Sequence, residues 1–200
     1  MTLKEMKIKA FSLIEEYYPN QTHYAEDEDV LNKINGVVNQ IQLDLMKYRK
    51  IPASIEVEIK EEDSKTLNIS DLIQDCYQLN VIKFDTIIDY FMPTENIIIL
   101  PNDFVGKFTI YYYKYPKLVK TLFEGETAER DKTKEDNEYV FELEPVLLEI
   151  MPYGIAADLL KMDMISNYGK YFYERYLEMK NNIDSRRTAG IVTITGGCDI

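Results

Sequence analysis

The chain has 200 residues, 46% of them apolar, and sets 23 Lys and Arg against 35 Asp and Glu for a net charge of −12. That is room for one domain, or one domain and a small insertion, with enough apolar content to exclude wholesale disorder. It is also too acidic to grip nucleic acid phosphates through clustered basic side chains.

The spacing of Leu3, Met6, Ala10, Leu13, Ile14 and Tyr17 predicts a helix from about Leu3 to Tyr18, stopped at Pro19-Asn20. A polar linker, residues 21–28, holds the only histidine, His23. A second helix is predicted from an N-cap at Asp27 or Asp29 through Val30, Leu31, Ile34, Val37, Val38, Ile41, Leu45 and Tyr48. Lys47, Arg49 and Lys50 are expected at its C-terminal end, where positive charge suits the helix dipole, and Ile51-Pro52 is expected to end it.

The period then changes from helical to alternating at Ile55-Glu56-Val57-Glu58-Ile59, the pattern of a half-buried strand. Short β-rich runs follow, among them 76–84 and 97–100, with turns at Pro93-Thr94-Glu95-Asn96 and Pro101-Asn102-Asp103. The strongest strand is predicted over 104–115, with Phe108, Ile110 and Tyr112 on one face and Thr109, Tyr111 and Tyr113 on the other. Ten of the fifteen residues from Glu124 to Glu138 are charged, which predicts an acidic loop. Tyr139-Val140-Phe141 is expected to add a last short strand, for five or six in all.

Helices resume at Pro145 and Pro152, where a helix starts or kinks, and continue over 155–164. A final helix, capped by Asn167, is expected to carry Tyr168, Phe172, Tyr176, Met179 and Ile183. The expected fold class is therefore α+β. A helical bundle is formed by 1–50 and 145–185, and an antiparallel β-rich domain, barrel- or sandwich-like, is inserted at 51–144. An extended C-terminal arm follows at 186–200.

Little in this pattern reads as catalysis. Cys76 and Cys198 are too distant to form a metal motif, and one histidine in a polar linker supports no Ser-His-Asp triad. Glu56 and Glu58 read as the solvated face of a strand. No run approaches the roughly 18 apolar residues of a membrane span, and the first five residues lack a signal peptide's apolar run. The expectation is a soluble protein, intracellular when made, without enzymatic activity, cofactor or metal. Sixteen tyrosines without a tryptophan are unusual, and Tyr111, Tyr112, Tyr113 and Tyr115 cluster on one strand. They read as cross-strand core pairs, as a partner-contact surface through Tyr111, Tyr113 and Tyr115, or as a sugar- or peptide-binding platform. The tail Ile191-Val192-Thr193-Ile194-Thr195 has strand chemistry at a chain end, which points to disorder or to pairing with another chain.

Several local motifs resemble those of tailed-bacteriophage head-tail adaptors, also called head-tail connectors or head completion proteins. They are Tyr17-Tyr18-Pro19-Asn20, then Val30-Leu31-Asn32-Lys33-Ile34-Asn35. Later come the run from Ile150-Met151-Pro152-Tyr153-Gly154 to Leu160, Asn167-Tyr168-Gly169-Lys170, Phe172-Tyr173-Glu174-Arg175-Tyr176, and the pair Arg186-Arg187 before the tail. The resemblance covers about half the chain, at its two helical ends. It implies a ring, commonly twelvefold, that docks on the portal protein, extends the DNA channel without sequence-specific binding, and offers a surface to a stopper or tail protein. It further implies a docking arm comprising Arg186, Arg187 and residues Ile191, Val192, Thr193, Ile194 and Thr195. The location implied is the virion, after assembly in the host cytoplasm.

Overall fold

A computed structural model describes residues 1–17, 28–84, 90–120, 138–161 and 168–183. Helix α1 spans Leu3–Tyr17 and buries Leu3, Met6, Ala10, Phe11 and Ile14. Its start is a capping box: Thr2 N–H donates to Glu5 Oε2 (2.8 Å) and Glu5 N–H to Thr2 Oγ1 (3.2 Å). Helix α2, Glu28–Leu45, buries Ile34, Val38, Ile41 and Leu45. It is shorter than its apolar pattern predicts, because Met46 to Tyr48 form a turn in which Leu45 C=O accepts from Tyr48 N–H at 3.0 Å. Lys47, Arg49 and Lys50 thus follow the helix instead of filling its last turn.

Strand β1, Ile51–Ile59, starts earlier than its alternating core and includes Pro52. It occupies the outer position of its sheet, where a missing N–H need cost no ladder bond. Then come β2 (Thr66–Asn68), the single-turn α3 (Ile69–Leu72), β3 (Cys76–Phe84), β4 (Phe91–Thr94), β5 (Ile97–Ile99) and β6 (Gly106–Lys114). Asn68 caps α3 by accepting from Ser70 N–H at 3.2 Å. The strands form two antiparallel three-stranded sheets, ordered β1-β6-β3 and β2-β5-β4. β1 pairs with β6 along its full length, from Ile51 opposite Lys114 to Ile59 opposite Gly106. Gly106 has φ of +152°, a backbone conformation that a side chain would strain.

Helix α4, Pro145–Leu160, has proline in its first turn and Pro152 inside it. It is apolar nearly all round and packs against α1, α2 and α5, the last spanning Tyr168–Asn181. Ile41 and the Tyr176 ring close on Gly154, where an added Cβ would lie 2.9 Å from Tyr176 Cε2.

The fold is therefore α+β, with five helices and two small antiparallel sheets among the described residues. No closed barrel forms: β6 is central to its sheet, and β1 and β3, at the two outer positions, do not pair with each other. The strand expected at 139–141 is one antiparallel bridge, Val140 to Thr2. Thr2 is the last residue before α1, so the ladder has no partner along which to grow. The expected turn at 93–96 narrows to Glu95-Asn96, with Pro93 and Thr94 inside β4.

Apolar side chains form two clusters without a shared residue. One contains Val57, Ile59, Ile69, Ile82, Ile98, Phe108 and Ile110 and draws on both sheets. The other is built from the helices, together with Ile51, Val119, Tyr139, Phe141 and Leu143. Residues 117–120 run along α2, held by side-chain amides. Asn39 Nδ2 donates to Val119 C=O (2.7 Å) while its Oδ1 accepts from Val119 N–H (2.8 Å). Asn35 Nδ2 donates to Lys120 C=O (2.9 Å), and buried Gln42 and Tyr139 Oη both donate to Lys117 C=O.

Candidate functional site

The tyrosines of β6 divide by the twofold periodicity of a strand. Tyr112 shares the inner face with Phe108 and Ile110, and its hydroxyl donates to Asp75 Oδ1 at 3.2 Å. Burial pushes that phenol's pKa up, and the neighbouring Asp75 carboxylate adds to the shift. Tyr111 and Tyr113 stand on the opposite face of the β1-β6-β3 sheet. Pairing register sets Ser54 and Val81 on either side of Tyr111, and Pro52 and Gln78 on either side of Tyr113.

Tyr111 is 40% exposed and Val81 52%, which makes them the apolar centre of an open face. Tyr113 is half-buried, with Lys50 Nζ 5.1 Å from its ring centroid. Lys50 also donates to Gln78 Oε1 at 2.5 Å, fixing that end of the face. At the far end Lys107 Nζ lies 3.1 Å from Glu56 and 3.9 Å from Glu58. The face thus has an aromatic and aliphatic centre between polar ends, the composition of a protein contact surface.

Tyr115 lies beyond β6. Its backbone N–H donates to Asp75 C=O (2.8 Å), and its ring meets Tyr77 edge-on at 5.2 Å. The three tyrosines expected to form one surface are therefore two on the sheet face and one beyond the strand end, exposed and edge-on to Tyr77. The sequence reading missed Val81, Ser54 and Pro52. The alternation of β1 against β6 carried the signal for Ser54 and Pro52, whereas irregularities in the register of β3 obscured Val81.

Arg186, Arg187 and residues Ile191, Val192, Thr193, Ile194 and Thr195 lie outside the described residues, as do His23, Cys198 and the acidic segment apart from Glu138. Cys76 is half-buried, with its thiol pKa pushed up by burial and by Asp75. Among the described residues no group of three or more His, Cys, Asp or Glu is placed to hold a metal ion, and no helix is long and apolar enough to cross a membrane.

No protein-family model and no curated protein matches the chain.

Proposed function

We propose that this chain is a tailed-bacteriophage head-tail adaptor, a structural protein of the virion with no catalytic role. In this reading it forms a homo-oligomeric ring beneath the portal, commonly twelvefold, extends the DNA channel, and links the filled head to a stopper or to the tail. It acts at the head-tail interface after assembly in the host cytoplasm. Residues 1–50 and 145–185 form its helical bundle, on which 117–120 and 139–143 also pack; the strands between 51 and 114 form an inserted sandwich-like unit, and 186–200 a docking arm.

One observation carries the reading. The helical apolar cluster is drawn chiefly from the two ends of the chain, with Ile51, Val119, Tyr139, Phe141 and Leu143 added from the stretch between, and the β cluster lies wholly between Val57 and Ile110. That is the layout expected of an adaptor whose bundle is interrupted by a β insertion. The strongly acidic composition is compatible with DNA passage, since like charge disfavours sticking of phosphates. Closed rings use heterologous contacts, in which each subunit presents two different surfaces. The open face around Tyr111 supplies one candidate.

The arm gives the first test. Full-length protein should bind immobilised portal protein of the same genome, and protein lacking residues 184–200 should lose that binding while keeping its thermal unfolding midpoint. Equal binding by the truncated chain would contradict the assigned role of the arm.

A second reading is favoured by the exposure of Tyr111 in mid-sheet. Here the same face is a carbohydrate- or peptide-binding platform of an acidic binding module. Its signature is ligand binding by the isolated monomer, without a portal.

A further inference from the structure

Among the described residues, few apolar strand side chains reach the helical cluster, and polar side chains flank their contact. Among the described residues the α3–β2 contact, between sequence neighbours, is the one substantial helix–strand contact. Among the described residues, two strand residues join the helical cluster, buried Ile51 at the start of β1 and half-buried Tyr77 in β3. Both lie at the same end of the sheet, because Ile51 and Cys76 are each opposite Lys114.

Around this narrow apolar contact sit charged and polar clasps. Lys114 Nζ, from the end of β6, meets Glu142 Oε1 at 2.5 Å. The other oxygen, Glu142 Oε2, accepts from Lys117 N–H at 3.1 Å. Glu142 lies between Phe141 and Leu143, both buried in the helical cluster, and Lys117 belongs to the segment that Gln42 and Tyr139 hold on α2. Its carboxylate therefore joins the last residue of the sheet to the bundle. The Lys50–Gln78 bond adds a second clasp, between the residues that follow α2 and β3.

A joint of this kind, with little apolar area and clasps that water and salt can replace, permits rigid-body motion of the two units it joins. We infer that the β unit turns on the helical bundle about the Ile51–Tyr77 contact, and that the Lys114–Glu142 ion pair is the catch that holds it. The inference rests on the two-unit reading above. Its consequence for an adaptor is that the Tyr111 face adjusts its direction to a neighbouring subunit after the bundle has docked.

The experiment measures the distance between the units in the full-length chain. Nitroxide labels at Lys83→Cys on β3 and Lys170→Cys on α5, in a Cys76→Ser, Cys198→Ser background, are read by pulsed electron resonance. At low salt the distribution should be narrow. Glu142→Ala should broaden it or add a second distance, with near-ultraviolet circular dichroism unchanged. The unsubstituted joint should broaden likewise at roughly 1 M NaCl, where the screening length falls to about 3 Å. This salt arm decides the matter if Glu142→Ala fails to fold. A distribution already broad at low salt, or one unmoved by salt in a folded protein, would overturn the inference. Portal binding is scored on the same samples. Binding with an immobile joint removes the hinge and leaves the adaptor reading standing; a mobile joint without binding does the reverse.

Discussion

Asp44 accepts from Tyr176 Oη at 2.7 Å and from Lys180 Nζ at 2.6 Å, pinning the last turns of α5 to α2. The ammonium also lies 5.3 Å from the ring centroid of Tyr48 and 4.9 Å from that of Tyr176. Burial pushes the Asp44 carboxyl pKa up, but the bonds from Lys180 and Tyr176 outweigh it and leave the group below the ordinary range. A carboxyl with a depressed native pKa adds stability above its unfolded pKa and loses it as pH falls through the native value. Asp44→Asn should cost about 1–2 kcal/mol at pH 7, the lower end for charge-assisted bonds because the carboxylate is partly exposed. The gap between variant and wild type, measured by urea unfolding, should close as pH is lowered below the ordinary carboxylate range; a gap independent of pH would contradict the pin. None of this was legible in the sequence, since the partners are 132 and 136 residues apart. The capping box at Thr2 and Glu5 was also missed, although its two residues are three apart and its chemistry is local enough to be read from sequence.

At the scale of elements, α4 is the centre of the helical layer, and its glycine sets how closely α2 and α5 approach. An added Cβ at Gly154 meets a ring whose hydroxyl is tied to Asp44, so the ring has little freedom to yield. Gly154→Ala should therefore be destabilising. The overpacking cost of about 1–3 kcal/mol offsets and exceeds a helix-propensity gain of about 1 kcal/mol. Gly36 in α2 is the control, with nothing within 4 Å of its added Cβ. The same substitution there should stabilise by about 1 kcal/mol. Denaturation midpoints that shift in the same direction for both would contradict the close packing at Gly154. Helices α1 and α2 were legible because each carries one apolar stripe. The periodicity of α4 is blurred because it is buried on nearly all sides, and only its prolines marked it. The early start of β1 was hidden by Pro52, which reads as a stop until the outer position of the strand is known.

At the scale of the molecule, the change from helical to alternating period near residue 51 and back near 145 already indicated mixed α and β structure. Sheet order was not legible, because β6 pairs with β1 and β3 across long intervening segments. The division of the strands into two short sheets depends on that register. The twofold alternation of β6 did place Tyr111 and Tyr113 on one face, but Tyr115, beyond the strand end, escaped the rule.

The proposed adaptor role requires a particular partner and a particular assembly. The most direct measurement mixes the full-length protein with the portal protein of its own genome and images the product by electron microscopy. An adaptor should appear as a closed ring of this chain stacked on the narrow end of the portal, with the helical bundle around the channel. Intact portal rings bearing no added density at saturating protein would contradict it, and would leave the Tyr111 face to the ligand-binding reading.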